Sequence, residues 1–219
     1  MTARPLPDGP LVAWYGDDFT GAAAVMEVLA FAGQPSVLFF DVPGEAQRAL
    51  FPDARGIGIA GSARARPPRW MDEHLPPVFA FLAALRPAVI HYKVCSTFDS
   101  APHVGSIGHA AEIALAAIPA PWVPLLVAAP PIGRYQAFGT LFAAAADGVH
   151  RHDRHPVMAR HPVTPMAEAD VRRHLAEQTD LPTGLVPLDR MQRDADADDA
   201  LATARATGAR IIALDTVDD

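Results

Sequence analysis

Two short stretches hold most of the residues that could do chemistry. In "YGDDFTGAA", Asp17 and Asp18 stand side by side. Adjacent carboxylates can accept hydrogen bonds from substrate hydroxyls, hold a cation, or take a proton as a general base. In "HYKVCSTFDS", Lys93 is the only lysine of the 219 residues, and every other cation behind a Lys plus Arg total of 18 is arginine. The same stretch carries the only cysteine, Cys95, the hydroxyls of Ser96 and Thr97, and the carboxylate of Asp99. An ammonium kept inside an otherwise apolar run pays for its desolvation unless it meets an anion. That anion could be a carboxylate or phosphate of a ligand, or Asp17 or Asp18.

Two later stretches extend the set. Gly133 and Arg134, in "PPIGRYQAFG", place a guanidinium fork where it could bind a carboxylate. "RHDRHPVMARHPVTPM" carries His152, His155 and His161, but their spacing matches no zinc pattern, so no metal site is expected. Contact with an anion by Arg160, His161 and Thr164, at the start of the following helix, suits the residue types better. Plainer readings stand beside these. Asp17 and Asp18 could cap a helix. Lys93 could lay its stem on apolar surface with its head in water, and Arg134 could be a solvated surface residue. Cys95 reads as a small buried residue with no base paired to it. The chain has no G-x-G-x-x-G fingerprint and no G-x-x-x-x-G-K-[ST] loop.

The elements that must position these residues alternate. Apolar runs at 11–16, 35–41, 55–61, 88–94 and 123–129 read as strands. Helices are predicted over 20–33, with Thr20 as N-cap and Gly33 as the stop, over 70–87 with a restart at Pro76–Pro77, and over 104–118. This alternation predicts an α/β fold with a mainly parallel sheet flanked by helices in three layers, and ligands beyond the carboxyl ends of the strands. After Pro130 the texture loosens into an irregular insertion with short strands near "FGTLFA" and "GVHRH". A helix is expected from Thr164 as N-cap with Pro165 in its first turn. Strands at "GLVPL" and "ARIIALD" follow, with a helix between them.

Composition narrows the function. The formal charge is -7 and half of the residues are hydrophobic. No basic stripe of the kind that binds nucleic acid is present, and no apolar run reaches the roughly 18–20 residues of a membrane span. One cysteine excludes an internal disulfide framework. With no signal peptide visible at the N-terminus, a cytoplasmic protein without nucleic-acid or membrane partners is expected.

Taken in order, "YGDDFTGA", "YKVCSTFDS…GSIG", "GRYQAFGTLF" and "HPVMARHPVTPMAEADVRRHL" resemble the N-terminal domain of the four-carbon acid sugar kinases, from about Val12 to the last residue. The resemblance implies an enzyme that phosphorylates four-carbon acid sugars such as threonate, erythronate or 3-oxo-tetronate with ATP and Mg2+. It implies an N-terminal domain that binds the sugar acid and a C-terminal domain that holds ATP. Carried over by position, Asp17 and Asp18 match the acidic pair, with one of them as candidate base. Lys93, Ser96, Thr97 and Asp99 match the lysine–hydroxyl loop. Gly133, Arg134, His161 and Thr164 match the later elements.

Family chains continue for about as long again after "ALDTVDD". Residues 1–219 are therefore expected to form the acid-sugar-binding domain alone, without the nucleotide-binding domain and without kinase activity on their own. Two readings stand here: a truncated product, or a nucleotide-binding domain carried by a separate polypeptide as partner, with self-association of this chain as a further alternative. Two alternatives remain at this point: a non-catalytic α/β module that senses a metabolite or docks to a partner, and a metal-dependent hydrolase using the histidines.

Overall fold

A computed structural model describes residues 6, 8–191 and 193–218. The polar opening segment, read as free of a signal peptide, lies mostly outside the described residues. The chain forms two compact units, residues 1–95 with 113–118, and residues 96–112 with 119–219.

The first unit is built on a parallel sheet. Its strands β1 (Val12–Gly16), β2 (Ser36–Phe39), β3 (Gly56–Ala60) and β4 (Val89–Lys93) lie in the order β2-β3-β1-β4. Side chains alternate across the central strand β1, and this alternation defines three layers. Trp14 and Gly16 face helix α1 (Phe19–Phe31): the Trp14 indole donates to Ala22 O at 3.0 Å, and a β-carbon on Gly16 would lie 2.5 Å from that of Ala22. Tyr15 faces the other way, edge-on to Phe79 of α3 (Pro68–Ala84) and stacked on Tyr92 of β4, at 6.0 Å in both cases. A short α2 (Glu45–Arg48) links β2 to β3.

Two helix boundaries differ from expectation. The N-cap of α1 is Asp18, not Thr20: the Asp18 side chain accepts from Gly21 N, the orphan-donor role that a carboxylate fills well. The C-terminal stop at Gly33 is as expected. Gly33 has φ 72, and Gly33 N and Gln34 N donate to Ala30 O and Leu29 O, each at 2.9 Å, which closes the helix in a Schellman motif. Helix α3 does not restart at Pro76–Pro77; it runs through both prolines. Both prolines are exposed, while the buried stripe Met71, Leu75, Val78, Phe79 and Leu82 keeps its helical spacing on the opposite side.

In the second unit β5 (Val123–Leu125), β9 (Thr183–Val186) and β10 (Ile211–Leu214) form a parallel sheet in the order β5-β10-β9, packed by α6 (Asp194–Ala206) through Val186, Ala204, Ala209 and Ile212. Helix α4 (Ile107–Ala117) is divided between the units. The segment read as irregular is more ordered than its composition suggests. Strands β6 (Arg134–Ala137), β7 (Thr140–Ala145) and β8 (Gly148–Arg151) make an antiparallel meander. Its first turn places Phe138 (φ 52) and Gly139 (φ 78) in the left-handed region that a two-residue hairpin loop requires. Buried Asp215 ties this hairpin down: its Oδ1 accepts from Gly139 N at 3.0 Å and Gln136 Nε2 at 3.1 Å, and its Oδ2 from Leu188 N at 3.0 Å.

The helix expected from Thr164 begins later. Residues 165–169 have no regular secondary structure, and α5 (Val171–Ala176) is capped by Asp170, whose side chain accepts from Arg172 N. Thr164 is committed elsewhere, as described below.

Candidate functional site

In the first unit the carboxyl ends of β1, β3 and β4 are drawn together by backbone hydrogen bonds. Asp17 N donates to Lys93 O at 3.0 Å, Gly61 N to Gly16 O at 2.9 Å, and Arg64 N to Asp17 O at 3.1 Å. The chain leaves β1 toward α1 on one face of the sheet and leaves β3 toward α3 on the other. Such a divergence opens a crevice at the strand ends.

Four charged side chains gather there. Asp17 is buried, with 2% exposure. Asp18 pairs with Arg64 at 3.2 Å while capping α1. The Lys93 ammonium donates to Val94 O at 2.6 Å, and it lies 3.6 Å from where a β-carbon on Gly21 would stand. Gly21 thus keeps the first turn of α1 open beneath both Asp18 and Lys93. The field of the site reaches its neighbours. Burial, then the charge of Asp17, pushes the Tyr15 phenol up to about 12, against opposing backbone hydrogen bonds. Burial and Asp17 also raise Tyr92, and burial followed by Lys93 lowers His91. Both tyrosines are held neutral.

The second unit assembles another part of the expected set. Asp99 is 4% exposed and accepts from the hydroxyls of Thr97 and Thr164, the latter at 3.3 Å. Thr164 N donates to His161 Nδ1 at 3.1 Å, which leaves the proton of a neutral ring on Nε2, 3.9 Å from Asp99 Oδ2. Thr97, Asp99, His161 and Thr164 therefore form one hydrogen-bonded group. The other expected residues stand apart from it. Ser96 and Cys95 are half-buried, and Arg160 is exposed. Arg134 Nη1 donates to the carbonyls of Ile132 and Gly133, at 3.3 and 3.2 Å, within its own turn. Gly133, with φ 69, makes that turn: a β-carbon there would sit 2.7 Å from that of Ala144. Among the described residues, no group of three or more His, Cys, Asp or Glu side chains is arranged to hold a metal ion.

Two residues of these groups, Arg64 and His174, were not expected from sequence, and His152 was named only among histidines whose spacing fits no zinc pattern. Arg64 follows β3 and pairs with Asp18; its signal was its place just past a predicted strand end. His152 is fully buried and its Nε2 lies 2.6 Å from Thr97 O. His174 lies 2.8 Å from Ser100 Oγ. Nothing in the spacing of His174 marks it.

Residues 12–219 match the family described as the sugar-binding N-terminal domain. The chain belongs to that family. It is 48% identical over 218 residues to a 3-oxo-isoapionate kinase of Paraburkholderia graminis, covering 99% of this chain and 46% of that protein. It is 32% identical over 211 residues to a 3-oxo-tetronate kinase of Burkholderia multivorans, covering 96% and 47%. A crystal structure of a Haemophilus influenzae protein superposes with a TM-score of 0.83 at 27% identity, covering 94% of this chain and 48% of that one. The chain spans about half the length of the curated relatives it matches. The expected α/β class and family are both shown by these comparisons.

Proposed function

We propose that this chain binds the acid-sugar substrate of a kinase that phosphorylates small 3-oxo sugar acids. 3-Oxo-isoapionate, named for the 48% identical relative, stands ahead of 3-oxo-tetronate, threonate and erythronate. The observation that carries this reading is the gathering of Asp17, Asp18, Arg64 and Lys93 at the carboxyl ends of β1, β3 and β4. Lys93 and Arg64 offer a point charge and a planar fork for a carboxylate. Asp17 and Asp18 offer acceptors for hydroxyls, and one of them takes the proton of the attacking hydroxyl. In the second unit the hydroxyls of Thr97 and Thr164, whose protons point to Asp99, offer acceptor lone pairs, with Ser96, Gly133, Arg134, Arg160 and His161 as further contacts.

Phosphoryl transfer depends mainly on positioning and charge neutralisation. ATP with Mg2+ would supply the phosphoryl group from a nucleotide-binding domain, which family resemblance sets after this one.

Calorimetric titration with 3-oxo-isoapionate, threonate and erythronate tests the proposal. Binding of at least one acid is expected, weakened at least ~10-fold by Lys93→Ala, as removal of one charge-assisted contact predicts. Absence of heat with every acid, or undiminished binding by the variant, would refute it.

A further inference from the structure

The loop Thr97–Ser100 adopts a backbone its sequence does not favour. Phe98 is 1% exposed and has φ 52, the left-handed region that a side chain with a β-carbon rarely occupies. Such a conformation persists only where the surroundings over-determine it.

Two buried histidines grip this turn. His152 approaches Thr97 O with Nε2 at 2.6 Å. A carbonyl only accepts, so Nε2 carries a proton, and in a neutral ring Nδ1 is then bare. His174 approaches the other end, with Nε2 2.8 Å from Ser100 Oγ and 3.0 Å from Gln178 Nε2. The Gln178 amide has its orientation fixed by Gly108 N, which donates to Oε1 at 3.2 Å, so its NH2 faces His174. An NH2 group only donates, which makes His174 Nε2 an acceptor and puts its proton on Nδ1. The His174 ring also lies against Phe98, with centroids 5.6 Å apart.

We propose that His152 and His174 are positioning residues, locked in opposite neutral tautomers, which hold Phe98 in its left-handed turn and so fix how Thr97 and Asp99 are presented. The positioning role rests on the reading of this loop as part of the sugar-acid site.

The charged surroundings are consistent with neutrality. Burial brings His152 to about 4, against the hydrogen bond to Thr97 O and the charge of Asp99, which favour its proton; His155 and Arg134 disfavour it as burial does. His174 faces His152 against Glu168 and Asp99, and burial again dominates, bringing it to about 4.

The test uses imidazole 15N NMR on the whole chain, with no ligand present. One ring protonated on Nε2 and one on Nδ1 are expected, both unchanged from about pH 8 to about pH 5.5. Identical tautomers, or either ring charging near its ordinary value, would overturn the proposal. His152→Leu and His174→Leu are expected to speed amide exchange at residues 98–100 at least ~10-fold while leaving the β6–β7 hairpin unchanged. They are also expected to weaken sugar-acid binding ~10-fold or more, with His152→Gln, which keeps a donor for Thr97 O, restoring most of it. Unchanged exchange in both leucine variants would also overturn it. If those variants do not fold, the wild-type tautomers decide. A wild type with both tautomers in place that binds no sugar acid fails the functional reading; one that binds while its imidazoles titrate normally fails the clamp.

Discussion

Asp18 and Arg64 meet at 3.2 Å, although the chain runs from Asp18 to one face of the sheet and from Arg64 to the other. Their pairing spans the crevice at the switch point. The loops on either side are independently tied by Gly61 N to Gly16 O and Arg64 N to Asp17 O. Side-chain charge and loop position are therefore separable.

Arg64→Ala follows from that separation. The pair is part-exposed, so its loss should change stability by less than ~1 kcal/mol in urea unfolding. Sugar-acid affinity should fall at least ~10-fold by calorimetry, because a charged fork in the crevice is gone. A large stability loss with unchanged affinity would show Arg64 to be structural only.

Gly16→Ala should act through packing. The new β-carbon would stand 2.5 Å from Ala22 Cβ, 2.8 Å from Ala22 Cα and 2.9 Å from Ala22 N. Backbone cannot swing aside as a side chain can, so overpacking of ~1–3 kcal/mol is expected, measured as a lower urea midpoint. Asp17 and Asp18 would move with α1, and binding should weaken in parallel.

Stability should fall as the solution is acidified from about pH 6.5 toward pH 4. His152 and His174 have folded values of about 4, below the 6.5 of an ordinary histidine. The unfolded chain then binds more protons in this window, so the contribution is fully present above pH 6.5 and lost as pH drops to about 4. The effect is on the order of 3 kcal/mol for each ring, and less than additive because each feels the other. Carboxylates lowered by partners, such as Asp153 beside Arg151, act only at lower pH. Urea midpoints at pH 7.5, 6 and 5 should show the slope, and His174→Gln should flatten it.

Asp215→Ala would strand Gly139 N and Leu188 N in a buried setting and leave Gln136 Nε2 with only Leu214 O, at 3.2 Å, as acceptor. A loss of ~3 kcal/mol or more is expected. Asp215→Asn keeps an acceptor for Gln136 Nε2 and Gly139 N but turns an NH2 toward Leu188 N, so its cost should be smaller. Chemical denaturation of both variants checks the order.

Much of the frame is legible in the sequence because apolar runs closed by glycine or proline are local signals. β1, β3 and β4, and the loops beyond them, fall where hydrophobicity places them. What is not legible depends on partners distant in the chain. Asp18 and Thr20 both qualify as caps, and only the Gly21 contact decides between them. Pro76–Pro77 break a helix on paper, yet face water in the fold. Thr164 looks like a cap, but Asp99, 65 residues earlier, takes its hydroxyl. Arg64 is hidden among many arginines. His152 and His174 resemble surface histidines until burial is known.

The hydrogen bond from Gly139 to Asp215 joins residues 76 positions apart. On a ribosome adding ~5–20 residues per second, the hairpin emerges roughly 4–15 s before its anchor. For that interval its left-handed turn has no carboxylate to hold it, and the β6–β8 meander must wait as a provisional structure. Translation speed over residues 140–215 thus sets how long this edge is open to wrong partners.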